Sequence, residues 1–245
     1  MRTSFAFAIA AFTTVSVIWA QQAPVHKPSR EELVAQLRSN DVQVRSAAFE
    51  SVRTDPAALH DPEVRAALID LLDRENHETF KPCDSCENEG YADYIGELDE
   101  TVAKIVDWNN PRQVCILANS DLPDELADHA KVAVPCLLQR YKNAPSAVRG
   151  YVVAMLVQAQ AKGKNDLDAA TASEVQKVIL SGLGDPDHGV KDDTIRALGK
   201  FGGEDMIPAL KATADVETSN DAGSRSIRRR TLQAIADIEK RAGQN

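Results

Sequence analysis

Aromatic residues and histidines are scarce in this chain. Aromatic residues make up 5% of its 245 residues, and the five histidines are scattered, so the side chains for a His-rich metal centre are missing. The sequence also lacks a Ser nucleophile motif, a phosphate-binding glycine loop and a zinc-protease motif. We therefore expect a protein that is not an enzyme and that uses no cofactor or metal.

Basic residues are outnumbered by acidic ones. The chain has 28 Lys and Arg residues against 37 Asp and Glu residues, which gives a net charge of −9. A protein with this charge repels phosphate backbones, and this argues against a general nucleic-acid binder. Beyond residue 20 no apolar run approaches the length that spans a membrane, so we expect no membrane insertion once the N-terminal segment is removed.

Residues 1–20 have the features of a secretory signal peptide. Arg2 gives a positively charged start, an uncharged apolar run follows, and Ala20 provides a small residue at the cleavage point. The run is shorter than the roughly 20 residues that span a bilayer, which favours cleavage over a retained membrane anchor. We expect cleavage after residue 20, a linker at 21–28, and an exported protein that is periplasmic or secreted.

One pattern occurs five times along the chain. An aliphatic residue is followed by Arg or Lys, and apolar or small residues stand four, five and eight positions after the first. This spacing places them on one stripe of a helix. Such recurrence is typical of repeat architectures, in which each unit buries its face against its neighbours. The copies begin at Val44-Arg45, Val64-Arg65, Val148-Arg149, Val190-Lys191 and Ile227-Arg228.

The basic residue of this pattern has a predicted structural role. In repeat proteins such a residue commonly pairs with an acid at a nearby turn, or its aliphatic stem packs across the neighbouring unit. We expect one of these roles for Arg45, Arg65, Arg149 and Lys191.

Polar turns divide the chain beyond the linker into helical segments. Ser29 and Glu32 have the spacing of a capping box at the first of them. No strand-like alternation is present, and Ala, Leu and Val fill the segments in place of aromatic residues. We predict an all-α repeat domain at 29–242, whose best division gives six helix pairs: 29–54, 62–108, 111–129, 130–162, 172–201 and 204–242.

Two stretches resemble HEAT repeats, of the kind also called PBS-lyase HEAT-like repeats. One is Val134-Pro135-Cys136-Leu137-Leu138 followed by Pro145-Ser146-Ala147-Val148-Arg149, and the other runs from 184 to 199 and continues into Ile207-Pro208-Ala209-Leu210. The resemblance implies an armadillo-like, right-handed α-solenoid of about five to six helix pairs. It also implies a protein- or peptide-binding scaffold whose concave face is lined mainly by the second helix of each pair.

The four cysteines are candidates for disulfides, because an even number in an exported chain favours pairing. Cys115 and Cys136 occupy nearly equivalent positions in the first helices of consecutive repeats, so a bond between them would join two units. Cys83 and Cys86 would then close a local ring. Crossed pairings and free thiols remain open, as does a redox- or metal-responsive module built on Cys83 and Cys86.

Two charged segments are candidates for partner binding. The excursion at 76–95 holds the Cys-x-x-Cys and leads into an acidic stretch that contains Tyr91 and Tyr94, and exposed Tyr beside charge is common at binding surfaces. The alternative is that both rings pack beneath the loop. Near the end of the chain, Arg225, Arg228 and Arg229 form a basic cluster that could bind an anion or an acidic partner.

The sequence as a whole favours a non-catalytic scaffold that works outside the cytoplasm and binds a protein or peptide. The redox- or metal-responsive module at Cys83 and Cys86 is one alternative. A structural component of a larger envelope assembly is another.

Overall fold

The protein is described by a computed structural model that covers residues 27–79, 89–119, 122–163 and 166–244. Within these residues there are twelve α-helices, two short 3-10 helices and no strand, so the all-α prediction is confirmed. The predicted signal peptide, most of the linker, and Cys83 and Cys86 lie outside the described residues. The α-helices are α1 (Arg30–Leu37), α2 (Val42–Arg53), α3 (Pro62–Thr79), α4 (Glu89–Ala103), α5 (Pro111–Leu117), α6 (Pro123–Asp128), α7 (Ala130–Asn143), α8 (Ser146–Lys162), α9 (Ala169–Leu183), α10 (His188–Phe201), α11 (Ile207–Val216) and α12 (Ala222–Ala242).

The helices stack in two layers, as in an α-solenoid. The odd-numbered helices contact one another in chain order from α1 to α11 and form the first layer. In the second layer α2 contacts α4, and α6, α8, α10 and α12 contact in succession. Within repeats, α1 packs on α2, α3 on α4, α7 on α8, α9 on α10 and α11 on α12. The chain is therefore a helical-repeat protein in which each unit buries its apolar face against the next.

Polar side chains fix the starts of many helices. Ser29 forms both hydrogen bonds of a capping box with Glu32 at α1. At six other helices an Asp or Asn side chain accepts hydrogen bonds from backbone N–H groups of the first turn, which would otherwise lack partners. These residues are Asp41, Asp61, Asn110, Asp168, Asp187 and Asp221.

The recurring stripe forms the core of the solenoid. All five copies lie on helices, namely α2, α3, α8, α10 and α12. The residues four, five and eight positions after the leading aliphatic residue are buried in every copy, with one exception. The exception is Leu232 on α12, which is 53% exposed because no later repeat covers it in the described part of the chain.

Three basic residues of the pattern bind acids of the following repeat, which gives each of them a structural role. Arg45 on α2 pairs with Glu75 of α3 at 2.7 Å. Arg149 on α8 pairs with Asp185, just after α9, at 3.2 Å. Lys191 on α10 pairs with Glu217, which ends α11. In each case a second-layer helix is tied to the C-terminal part of the next first-layer helix.

Arg65 differs from the other three, because it lies in the first layer. Its guanidinium donates a hydrogen bond to the backbone carbonyl of Ile105, just beyond the second helix of its own repeat. The side chain therefore also has a structural role, although it binds a carbonyl rather than an acid.

A disulfide joins the third and fourth repeats. Cys115 of α5 and Cys136 of α7 are bonded, with their Cα atoms 5.1 Å apart. The bond fastens the shortest unit of the stack, since α5 has 7 residues and α6 has 6.

The described parts of the excursion predicted at 76–95 belong to helices. Helix α3 continues to Thr79 and α4 begins at Glu89, so the predicted loop at 76–79 and 89–95 is wrong. His77 and Glu78 accordingly belong to a helix. Residues 80–88, which hold the Cys-x-x-Cys, lie outside the described residues.

Candidate binding surface on the last two repeats

Tyr94 does not form a binding surface, contrary to the expectation from its acidic surroundings. It is 8% exposed, and its ring packs edge-on against Phe49 with 5.6 Å between the ring centroids. Burial raises the pKa of its hydroxyl, and the nearby Glu75 carboxylate raises it further. The backbone of Tyr91 belongs to α4, and its side chain lies outside what the structure describes.

The predicted basic cluster lies together on α12. Arg225, Arg228 and Arg229 are exposed and border a shallow depression with Leu232 and Gln233. Arg225 donates a hydrogen bond to the backbone carbonyl of Asn220. Among the described residues, no acid forms an ion pair with Arg228 or Arg229, so both charges face solvent.

A neighbouring side of α12, which shares Gln233 with this depression, forms a larger groove with α10. The groove has a volume of about 530 Å³ and lies in the second layer. Its floor is small and apolar, and its sides carry five basic residues and one acid. The lining residues are Ile195, Arg196, Gly199, Lys200, Arg230, Gln233, Ala234, Asp237, Lys240, Arg241 and Gln244.

Close helix packing shapes the floor of this groove. A Cβ atom added at Gly199 of α10 would lie 3.2 Å from Cβ of Ala234 on α12, which is tighter than ordinary contact. The absence of a side chain at Gly199 therefore lets the two helices approach closely, and the longer side chains of both helices stand along the edges.

Two of the groove arginines brace the helices against each other. Asp192 of α10 accepts hydrogen bonds from Arg196 on its own helix, at 2.7 and 3.0 Å, and from Arg230 on α12. The hydrogen bond to Asp192 raises the pKa of Arg196. One carboxylate oxygen thus serves both guanidiniums and ties α10 to α12, which leaves these two arginines less available to a ligand than the lysines of the groove.

A third arginine completes the end of α10. Arg241 donates hydrogen bonds to the backbone carbonyls of Gly199 and Gly202, the latter at 2.8 Å. These carbonyls belong to the last turn of α10 and its cap, where helical partners are lacking. Arg241 thus closes one end of the groove and remains charged.

Lys200 and Lys240 supply groove charges that no acid among the described residues pairs. Both side chains are exposed, and neither forms an ion pair with an acid in the described ranges. The ammonium of Lys200 lies 4.8 Å from the ring centroid of Phe201. Asp237, the acid among the lining residues, accepts a hydrogen bond from Gln233 at 2.9 Å. The groove therefore offers two available ammonium groups beside an apolar floor.

Charge is unevenly distributed along the second layer. Helix α4 contains five acidic residues and no basic one, and α6 contains three acidic residues and no basic one. Helix α12 contains six basic and two acidic residues. A protein of net charge −9 thus ends in a locally basic repeat. No sequence pattern marks the groove, because its lining comes from two helices whose register is set only by packing.

The described residues give no sign of a metal site or a membrane span. No group of three or more His, Cys, Asp and Glu side chains is placed within them to hold a metal ion. None of the helices in these ranges combines the length and the apolar character that crossing a bilayer requires.

Comparisons with known proteins identify no family or function for this chain. No protein-family model matches the chain, and no curated protein matches it. Among solved structures it is similar to an engineered protein, with 16% identity, a TM-score of 0.40, and coverage of 86% of this chain and 96% of that one. It is also similar to a designed armadillo repeat protein, with 15% identity, a TM-score of 0.35, and coverage of 86% and 100%. TM-scores this low support no structural conclusion, and the fold is described from the contacts of its own helices.

Proposed function

We propose that this protein is an exported, non-catalytic binding scaffold that takes an acidic segment of a partner protein in the groove between α10 and α12. The observation that carries the proposal is the pair of exposed ammonium groups, Lys200 and Lys240, beside an apolar groove floor in an otherwise acidic protein. Extended surfaces of stacked repeats commonly bind peptides and proteins.

The groove favours a segment that alternates acidic and apolar side chains. Carboxylates of the segment would pair with Lys200 and Lys240, and apolar side chains would pack against the aliphatic stems of the basic residues along the groove, since Ile195 and Ala234 are already buried. Each exposed ion pair contributes little, about 0.2–1 kcal/mol, so affinity would depend on several contacts together. Because exposed charges are screened by salt, binding should weaken as ionic strength rises.

A charge reversal in the groove tests this proposal. We expect Lys200→Glu with Lys240→Glu to weaken binding of a short labelled peptide of alternating Glu and Leu at least about tenfold, since two attractions become repulsions. Fluorescence anisotropy at low salt measures the dissociation constant. The matched control is Lys177→Glu with Lys211→Glu, which reverses two exposed lysines on α9 and α11, outside the groove.

The control separates a specific site from general attraction. An equal loss in both double variants would show that net charge alone draws the peptide, and no binding by the wild-type protein would reject the groove as a site for acidic segments. Circular dichroism of each variant checks that the helices remain folded.

Export is proposed from residues 1–20 and has its own test. We expect the intact mass of protein recovered outside the cytoplasm to correspond to a chain that begins at Gln21. A full-length mass beginning at Met1 in the cytoplasmic fraction would contradict export and leave the groove proposal untouched.

A further inference from the structure

Two residues that pack between neighbouring repeats elsewhere in the stack are exposed at its ends. In the recurring pattern, the leading aliphatic residue is buried or half-buried on α8, α10 and α12, but Val44 on α2 is 37% exposed. The residue five positions later is fully buried on α2, α8 and α10, but Leu232 on α12 is 53% exposed. The leading position of the pattern is thus exposed in the first repeat, and the position five residues later is exposed in the last repeat.

Contacts between the inner repeats show which neighbouring repeat each of these two positions faces. The leading residue faces the preceding repeat, because a Cβ atom added at Gly150 of α8 would lie 3.0 Å from Cα of Val190 on α10. The residue five positions later faces the following repeat. Ile195 of α10 lines the groove with Arg230 and Ala234 of α12.

Val153 on α8 follows the same rule as Ile195. Its Cγ1 atom would lie 3.2 Å from a Cβ atom added at Gly182 of α9, in the following repeat. Among the described residues, therefore, no preceding second-layer helix covers Val44 and no following one covers Leu232.

The exposed apolar side chains are concentrated at these ends. Five large hydrophobic residues are exposed within the described ranges, and four of them belong to the first or last repeat. Val42 and Val44 lie at the start of α2. Val216, which is 74% exposed, ends α11, and Leu232 lies on α12. The fifth is Leu180 on α9, which is 45% exposed.

We propose that copies of this chain associate head to tail, with α2 of one copy stacking on α12 of another as α12 stacks on α10 within one chain. Leu232 would then be covered by the helix that carries Val44. A second copy fits better than an unrelated helix because the same chain carries both uncovered positions. The interface is heterologous, so each added copy leaves a free head and a free tail and growth is open-ended.

The internal register predicts which charges meet at this junction. Arg149 on α8 pairs with Asp185, which precedes the leading Val190 of the next second-layer helix by five positions. The equivalent basic residue on α12 is Arg228. By this register Arg228 would meet the position of Ser39 in a second copy, and Asp41 supplies a carboxylate two residues later, at the start of α2. The junction therefore brings a cation that pairs with no acid among the described residues near one carboxylate, as well as joining two apolar patches.

Sedimentation velocity of the mature protein tests the proposal. We expect the weight-average sedimentation coefficient of the wild-type protein to rise with concentration. Leu232→Glu blocks the tail and Val44→Glu blocks the head, so each variant alone should remain monomeric. An equimolar mixture of the two should form a dimer that does not grow. The intact tail of the Val44→Glu variant can bind the intact head of the Leu232→Glu variant, and the other two ends of this dimer are blocked. Leu180→Glu, an equally polar change away from both ends, should associate as the wild type does.

Several outcomes would overturn head-to-tail association. These are a wild-type protein that stays monomeric at every concentration, a mixture of the two end variants that stays monomeric, and a Leu180→Glu variant that loses association equally. Both end substitutions replace exposed side chains, and matching thermal melts would show that neither acts by unfolding. Self-association should also persist in Lys200→Glu with Lys240→Glu, which alters the groove face of the last repeats.

Discussion

Replacing Arg45 by Met is expected to lower the free energy of unfolding by about 3–5 kcal/mol, because it removes the guanidinium that compensates the buried Glu75 carboxylate. The side chain of Arg45 is 3% exposed and that of Glu75 is 0% exposed, with 2.7 Å between Nε and Oε1. The guanidinium also donates to the backbone carbonyls of Ser39 and Asn40, at 3.1 and 3.0 Å. The substitution thus disturbs the α1–α2 turn as well as the contact between the first two repeats.

A second substitution separates the charge from the packing. Arg45→Met combined with Glu75→Leu removes both buried charges, and most of the lost stability should return, because apolar replacement of a buried pair is often neutral or stabilising. Urea unfolding followed by circular dichroism gives the free energies of unfolding of the wild type, of Arg45→Met and of the double variant.

An exposed arginine on the same helix provides the control. Arg53 pairs with Glu50 at 2.7 Å, and its side chain is 44% exposed. Arg53→Met should therefore cost at most about 0.5 kcal/mol. Equal losses in Arg45→Met and Arg53→Met would contradict the view that the buried pair holds the first two repeats together.

Replacing both Cys115 and Cys136 by Ser is expected to lower the free energy of unfolding by about 3 kcal/mol. The disulfide closes a loop with a sequence separation of 21, and the chain-entropy model gives a cost of this size for opening such a loop in the unfolded state. The bond also lies where the stack has its shortest helices, α5 and α6, so little other packing compensates for its loss.

Unfolding with and without a reductant measures this effect. The reduced wild-type protein should be about as stable as the double Ser variant, and that variant should respond little to the reductant. A remaining response would reveal a bond made by Cys83 and Cys86. A double variant as stable as the oxidised wild type would contradict a stabilising role for the bond between repeats.

Periodicity explains why the fold was predictable from the sequence. The recurring stripe is a local pattern, and its residues are buried because helices stacked in two layers have few other ways to hide them. Predicting that Arg45, Arg149 and Lys191 have structural roles required only the pattern. Their acidic partners stand 26 to 36 positions later, and identifying them required the packing of the repeats.

Helix α4 shows where local composition misled the prediction. Its acidic residues suggested an exposed excursion, yet Tyr94, Leu98 and Val102 follow one another at intervals of four and are buried on one face. That spacing was a readable signal for a helix with one apolar side, and it outweighs the charge of the other side. Tyr94 belongs to the core for this reason.

The groove could not be predicted in the same way. Its exposed charges come from Lys200 and Lys240, which are far apart in the sequence and meet only because Gly199 lets α10 approach Ala234 of α12. Arg225, Arg228 and Arg229 were visible as a sequence cluster, but they do not line the groove. A cluster in the sequence therefore located the basic repeat and not the groove.

Lysine footprinting tests the proposed binding site most directly. Amine-reactive labelling is followed by mass spectrometry, with and without the Glu-Leu peptide, on the unmodified protein. We expect the peptide to slow labelling of Lys200 and Lys240 and to leave Lys177 and Lys211 on the first layer unchanged. Equal protection of all four lysines, or protection of Lys177 and Lys211 alone, would contradict binding in the groove between α10 and α12.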